Sequence, residues 1–586
     1  MCGIVGYKGS NNAIPVLYDG LLALEYRGYD SAGMAFKNEN KIEIIKSVGK
    51  VNNLQRFIKD KKTNIGMAHT RWATHGGVNE CNCHPHKVGK ITIVHNGIIE
   101  NYLEIKNKLL NNDYSFKSET DTEVLCALID YIYQQKNNML ETIKEVIKEI
   151  KGSYAVIIMC DDDLDSLYAL RYNSPLIIAE NDNGYYIASD VPAILKYTNK
   201  YYLLDQNEIV HIKDSLKIYN LSLKEISKKP LIYEENYSDN AKNGYEHYML
   251  KEINDEPEVI NNILEYYITD GKFNKNMPNL KKYKQIYIVG CGSAYYTGEI
   301  FKHLYEKYLN IPVVTYLASE YRYQKLFYDQ DTLVIFISQS GETADTLEAL
   351  RKTKKDGIDC LAIVNVYASS LAREADIVLY TKAGNEIAVA TTKAFVSQLM
   401  VLGLLLIKMA NLPIKLDIFN KLQDSLKNII NIDYLQFAQK IYNHKDAFFI
   451  GRGVDYGLCE EGSLKLKEIS YINSAAFPAG ELKHGTISLI EKNTPVLSII
   501  SDDILKPKTI SNIKEVFSRG AYVLIITNKN IGNDCYNDII KIPDIDDIVN
   551  SILLVVPLQL IAYHVAKLKG EDIDKPRNLA KSVTVE

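Results

Sequence analysis

The chain has no stretch of ~18–20 consecutive apolar residues, the length a membrane-crossing helix needs. The run around Leu399–Ala410 is short and ends in Lys408 and Met409. No basic head with a long apolar stretch opens the sequence, so Met1-Cys2-Gly3 does not read as a secretory leader. Charge of either sign is not in surplus: 68 Lys and Arg stand against 73 Asp and Glu, a formal net charge of -5. That balance gives no reason to expect a nucleic acid or an anionic membrane as partner. Cysteine is sparse, nine in 586 residues without staple-like spacing, which fits a reducing, cytoplasmic compartment.

What remains is an ordinary globular composition, 46% hydrophobic and 24% charged, long enough for three or four domains. Its most informative residue is Cys2. Removal of Met1 would leave a thiol nucleophile and a free α-amine on one residue. An unperturbed α-amine titrates near ~7.7–8.0, which suits a group that accepts a proton and later returns it. The apolar run Ile4-Val5-Gly6-Tyr7 reads as a strand that buries this terminus.

Residues 1–220 read as α+β, with stacked, mostly antiparallel sheets. β-Prone runs fall at Lys41–Val48, Ile91–His95, Tyr154–Cys160, Tyr185–Ser189 and Ile209–Ile212. Helices are expected at Ala13–Glu25 and, as one stretch capped by Ser118–Asp121, at Thr122–Ile147. The polar segment Glu234–Gly244 reads as a connector, followed by a helical start at Tyr245–Lys251.

The C-terminal part repeats itself. Residues 286–298 and 448–457 each give a strand, a glycine turn and a helix start. Further apolar strands follow at Leu333–Ile337 and Cys360–Val364 in one copy, and at Pro495–Ile500 and Ala521–Ile526 in the other. Such alternation predicts two doubly wound α/β domains with parallel sheets, near 270–430 and 435–570, made by tandem duplication. A polar tail, 571–586, closes the chain.

Ser338-Gln339-Ser340-Gly341-Glu342-Thr343 follows an apolar strand and precedes a helix, a natural phosphate cradle. It has neither the lysine nor the spacing of a nucleotide P-loop. The second copy has Ser501-Asp502-Asp503 at this place, and two carboxylates would repel a phosphate. Only the first copy is therefore expected to bind one, with the second supplying acid–base groups. Lys465 and Glu468 lie three apart on one helix face with Glu461 a turn earlier. His484 sits in the glycine-bounded loop Gly480–Gly485, and Lys581 in the tail is an amine suited to imine formation. Cys81, Cys83, His84 and His86 are spaced more tightly than usual structural zinc ligands and lack a second pair nearby. A redox-sensitive or structural loop is expected there, and no metal.

Taken in order, Cys2, Arg71-Trp72-Ala73-Thr74-His75-Gly76, His95–Asn101, Ser338–Thr343, Lys483-His484-Gly485 and the tail Asp574–Glu586 carry a resemblance. Over residues 2–586 the sequence resembles the isomerizing glutamine–fructose-6-phosphate aminotransferase family. The resemblance implies an N-terminal-nucleophile glutaminase domain over 2–220 and a linker with its helices over 221–269. Two sugar-isomerase (SIS) domains over 270–430 and 435–570 and a closing tail at 571–586 follow. It implies transfer of the amide nitrogen of L-glutamine to D-fructose 6-phosphate, giving D-glucosamine 6-phosphate and L-glutamate, without metal, nucleotide or redox cofactor.

By the same resemblance Cys2 is the nucleophile, and Asn96 and Gly97 stabilise the oxyanion. Arg71, Thr74, His75 and Asp121 bind glutamine, and Arg27 supports the nucleophile. Ser293, Ser338, Gln339, Ser340, Thr343, Val389, Thr391 and Lys465 bind the sugar phosphate. Glu468 is the isomerising base, His484 the ring-opening residue, and Lys581 the imine former. Trp72 and Ala580 gate an ammonia channel, whose use is to keep ammonia from becoming ammonium in water. A homodimer is implied if His484 serves a neighbouring copy. The chain departs from the pattern at Ala294, where the family has Ser and one hydrogen bond is lost. Thr391 stands in place of Ser, and Thr486 in place of Pro.

Rival readings are weaker. A glutamine phosphoribosyltransferase needs a diphosphate loop with acidic neighbours, absent from 270–586. The intact glutaminase set argues against an amino-sugar deaminase or fructosamine enzyme. A phosphosugar-sensing regulator would carry a basic DNA-reading segment, and none is seen.

Overall fold

The computed structural model describes residues 2–73, 76–233, 242–532 and 534–584. Most of the expected connector, 234–241, therefore lies outside the described residues. The chain divides into two compact units, 1–240 with 582–586, and 241–581.

In the first unit an eight-stranded and a seven-stranded antiparallel sheet stack face to face. The strand Gly3–Gly9 shows why. Its side chains alternate, so Ile4 enters the layer between the sheets while Val5 and Tyr7 face the helix Ala13–Leu24. Gly6 shares Ile4's face, and a Cβ there would stand 2.9 Å from Ile157 Cδ1 of the other sheet. The absent side chain lets the sheets close. Ile4, Met67 and Ile187 of one sheet pack with Val94, Ile157 and Val210 of the other. Helices cover both outer faces, giving four layers.

The single helix expected over Thr122–Ile147 is two, Asp121–Lys136 and Met139–Glu149. Asn137 ends the first with a left-handed φ of 50°, and Asn138 caps the second by accepting from the Glu141 amide. The hydrophobic spacing continues through the break, so periodicity alone did not register it. Thr120 caps the first helix by accepting from the Glu123 amide at 3.2 Å. The sheets also continue past residue 220, with short strands at Glu225–Ile226 and Leu231–Ile232.

The second unit opens with the helix Tyr248–Tyr267, whose Met249, Ile253, Ile260 and Ile263 are core residues. Two five-stranded parallel sheets follow. One runs in the spatial order Val313–Leu317, Gln285–Gly290, Thr332–Ser338, Asp359–Val364, Ile377–Tyr380. The other runs Asn473–Pro478, Asp446–Gly451, Pro495–Ile500, Tyr522–Thr527, Asp538–Lys541. Each places its second strand outside its first and its third on the other side, so the duplication extends to topology. It extends to the turns as well: Gly292 has φ 53° and ψ −130°, Gly453 φ 57° and ψ −127°. Both start helices, Ser293–Leu309 and Val454–Ser470.

Among the described residues one helix, Asp547–Lys569, is long and apolar enough to cross a membrane, with mean hydropathy 1.9 over its best window. Asn550, Pro557, Gln559 and His564 interrupt it, which is why no continuous apolar run marks it in the sequence. That window is 94% buried within the fold, where the helix forms part of the second unit's core.

The two helices that follow the glycine turns cross where a Cβ on Gly457 would lie 2.8 Å from Ile300 Cγ1. Replacing Gly457 with leucine forces them apart. The expected cost is about 1–3 kcal/mol, read as an earlier first transition in scanning calorimetry.

Candidate functional sites

In the first unit, strand ends converge on Cys2. The Trp72 amide donates to Cys2 Sγ at 3.4 Å, and Asn96 Nδ2 donates to the Cys2 carbonyl at 2.9 Å. Burial pushes the Cys2 thiol above its ordinary value, opposed by the Trp72 hydrogen bond and the Arg71 charge. A thiol held neutral needs a base beside it to attack. Gly97 follows Asn96 with φ +127°, and a Cβ there would sit 1.9 Å from the Ser153 carbonyl oxygen. Only glycine takes this backbone path, which sets the direction of the neighbouring N–H.

Asp121 opens the helix Asp121–Lys136 and accepts from the Ile99 amide at 2.8 Å, fixing it to the strand that carries Asn96 and Gly97. The Arg71 guanidinium donates to the Gly76 and Gly77 carbonyls at 3.1 and 3.2 Å. Arg27 is placed differently. It pairs with Asp190 at 2.5 Å, and Asp190 also accepts from Tyr26 at 2.5 Å, so Arg27 braces the domain through its neighbours. Thr74 and His75 lie outside the described residues.

The cysteine–histidine loop disperses its side chains. Cys81 Sγ donates to the Lys117 carbonyl and Cys83 Sγ to the Asn79 carbonyl. His84 stacks on His69 at 4.0 Å, and His86 contacts the Thr120 hydroxyl at 3.2 Å. Among the described residues no three His, Cys, Asp or Glu side chains converge on one point.

In the second unit a cavity of about 160 Å³ opens beyond the first and third strands of the first sheet. The strand order reverses there, the usual place for ligands in open α/β sheets. Ser293, Ser338, Gln339, Ser340, Thr343, Val389, Thr391, Lys465, Glu468, Ala580 and Lys581 all line it. Ser338 Oγ accepts from the Gly341 amide at 3.0 Å and meets the Thr343 hydroxyl at 3.1 Å, shaping a turn into the helix Ala344–Lys355. Ala294 faces the same space with a methyl group where a hydroxyl would donate.

Lys465, 1% exposed, pairs with Glu468 at 2.6 Å and with Glu461 at 3.4 Å. Burial would lower its ammonium, but the two carboxylates outweigh that and hold it above its ordinary value. Burial pushes Glu461 up to about 7. Glu468 is the carboxylate that reaches the cavity.

The second sheet's matching turn is already filled. Asp455, two residues after Gly453 as Ala294 is after Gly292, accepts from the Ser501 amide at 3.0 Å and from the Ser501 hydroxyl. An internal carboxylate thus occupies donors that an outside anion would need.

The structure does not bring His484 to the cavity of its own chain: it lies exposed at the end of a short turn, Glu481–His484. Sequence reasoning missed Glu386, a wholly buried carboxylate whose partner is Lys581. It also missed Thr346 and Gln398 in the cavity wall. The available signal for Glu386 was a lone acid in the otherwise small and apolar stretch Ile387–Thr392 and its lead-in.

The SIS domain family matches residues 279–408 and 440–569, and a glutamine amidotransferase domain family matches 82–196. A glutamine–fructose-6-phosphate aminotransferase [isomerizing] of Clostridium tetani is 46% identical over 616 residues, covering both chains completely. One from Thermococcus kodakarensis is 40% identical over 605 residues, again covering both. Among solved structures, the C-terminal domain of glucosamine-fructose-6-phosphate aminotransferase from Francisella tularensis is 39% identical. It covers 57% of this chain and 99% of its own, with a TM-score of 0.53. Tagatose-6-phosphate ketose/aldose isomerase from Escherichia coli is 17% identical, covers 58% of this chain and 97% of its own, and has a TM-score of 0.50, a likeness of fold.

Gly97→Ala places a side chain against the Ser153 carbonyl in a backbone conformation that alone costs about 1–3 kcal/mol. With Gly97 read as an oxyanion donor, hydrolysis of free glutamine is expected to fall at least ~100-fold, the loss typical when such a donor is displaced. A steady-state glutamate-release assay reads it.

Proposed function

We infer the roles of the two sites from one premise: this chain belongs to the isomerizing glutamine–fructose-6-phosphate aminotransferase family. Its reaction converts L-glutamine and D-fructose 6-phosphate to L-glutamate and D-glucosamine 6-phosphate. The observation that carries the site reading is the convergence of Lys581, Glu468, Lys465 and the Ser338–Thr343 turn on one cavity.

In this reading Cys2, freed of Met1, attacks the glutamine amide carbon. Its α-amine takes the thiol proton and gives it to the departing ammonia. Asn96 Nδ2 and the Gly97 amide hold the oxyanion, and water then releases glutamate from the thioester. Arg71 binds the α-carboxylate and Asp121 the α-ammonium, a pair that selects free glutamine over a peptide. Passage of ammonia to the ketose, gated by Trp72 and Ala580, belongs to the same reading.

Ser338, Gln339, Ser340 and Thr343 bind the phosphate, while Ser293, Val389 and Thr391 contact the sugar. His484 of a second copy assists ring opening, which makes the working form a homodimer. Lys581 holds the open ketose as an imine until ammonia displaces it. Glu468 then takes the C1 proton, and the aldose configuration is set at C2; Lys465, 2.6 Å away, orients Glu468 for that task. Each step is nucleophilic or acid–base, chemistry that side chains supply. A cytoplasmic location without nucleic acid or membrane partners accords with the charge balance and free cysteines.

The test is to mix purified protein with glutamine and fructose 6-phosphate and measure amino sugar. The parent chain should form it, and Cys2→Ala should lose at least ~1,000-fold of the glutamine-dependent rate. Full glutamine-dependent activity in Cys2→Ala would overturn the first step.

A further inference from the structure

Lys581 does not face the cavity alone. Its ammonium pairs with Glu386, and the two side chains are 5% and 0% exposed. Three further donors fix that carboxylate: the Thr391 hydroxyl at 2.5 Å, the Thr392 amide at 2.9 Å and the Ala394 amide at 3.0 Å. Thr391 itself lines the cavity, so Glu386 sits directly behind the wall that the ketose would touch.

The charges around it leave Glu386 as the anion. Burial would raise its carboxyl, but the Lys581 charge and hydrogen bond, with the Thr391 and Ala394 donors, hold it below its ordinary value. Glu252, from the helix Tyr248–Tyr267, accepts from the Ile387 and Ala388 amides at 2.5 and 3.2 Å. Burial and the Glu386 charge push its carboxyl above the ordinary range. Glu256 on the same helix is also raised, chiefly by burial. Lys393 faces this group from the following helix and pairs with Asp255 at 3.3 Å. Lys465, from the helix Val454–Ser470, adds positive charge nearby.

We propose that Glu386 is a catalytic residue for imine formation: it holds the Lys581 amine, takes one of its protons and returns that proton toward the departing hydroxyl. This rests on the reading of Lys581 as the imine former. The step balances without a further reactant. The ammonium gives one proton to the Glu386 carboxylate, and the neutral amine attacks the C2 carbonyl. A second nitrogen proton moves to the former carbonyl oxygen. Glu386 then returns its proton through the Thr391 hydroxyl, which lines the cavity, to the resulting hydroxyl, which leaves as water while the C=N bond forms. The protonated imine keeps the third proton, and Glu386 ends as the anion beside a cation, as it began. A carboxylate so anchored serves both cations without moving.

The test is borohydride trapping of fructose 6-phosphate on the full chain, followed by intact mass and peptide mapping across pH 6–9. The parent should trap sugar on Lys581 with a rate nearly level in pH. Glu386→Gln should trap at least ~100-fold more slowly at pH 7. Its rate should climb about tenfold per pH unit as solvent base replaces the carboxylate, with the KM for fructose 6-phosphate within threefold. A folded Glu386→Gln slowed equally at every pH has only a structural lesion, and that result overturns the proposal. If Glu386→Gln fails to fold by circular dichroism, Glu386→Asp is read instead. It keeps the charge at shorter reach and should trap ~10–100-fold more slowly with the parent's level profile. A folded Glu386→Gln with the parent's rate and profile, or Glu386→Asp within twofold of the parent, overturns the proposal. Absence of an adduct on Lys581 in the parent overturns the imine reading itself, a distinct outcome.

Discussion

Buried ammonium groups held by buried carboxylates are the constraint on which the second unit's chemistry depends. Lys465 and Lys581 both lie almost wholly out of water. A charge so placed costs several kcal/mol unless an opposite charge and good hydrogen bonds meet it. Glu461 and Glu468 meet the first, Glu386 the second, and backbone amides and hydroxyls meet Glu386 in turn. Such an arrangement gives little net stability. In the proposed reading its use is to hold the groups that act on the ketose oriented and dry.

Duplication supplied the frame and divergence made it asymmetric. Both copies retain the sheet order and the glycine turn with nearly identical dihedral angles. In one copy the turn faces hydroxyls and a helix start. In the other, Asp455 bonds to Ser501 and fills the corresponding space. One such turn is thereby left open to the cavity, and the helix after the second turn brings its Lys465 and Glu468 to the same cavity. The first unit reaches its site by different means. Strand ends, and the φ of +127° at Gly97, bring backbone and side-chain donors to Cys2.

Much of this was legible along the chain. The apolar run Ile4–Tyr7, the apolar strands Leu333–Ile337 and Pro495–Ile500, and the capping residues at Ser118–Asp121 each act over a few residues, so the sequence carries them directly. The break at Asn137–Asn138 was not legible, because the apolar spacing runs through it and two left-handed or cap-forming asparagines resemble ordinary exposed residues. The helix Asp547–Lys569 escaped notice for the converse reason: its polar interruptions hide a segment that the fold buries from all sides.

Local order thus determined most element types, the duplicated parallel sheets, the turn at Ser338–Thr343 and the chemical candidates at Cys2, Glu468 and Lys581. Those depend on side-chain type and on periods of two or 3.6 residues. Only the tertiary structure decided that Glu386, 195 residues from Lys581, is its partner. It alone set Arg27 against Asp190 and left His484 outside its own chain's cavity. Charge pairing across such separations is fixed by burial and packing, and neither leaves a periodic trace in the sequence.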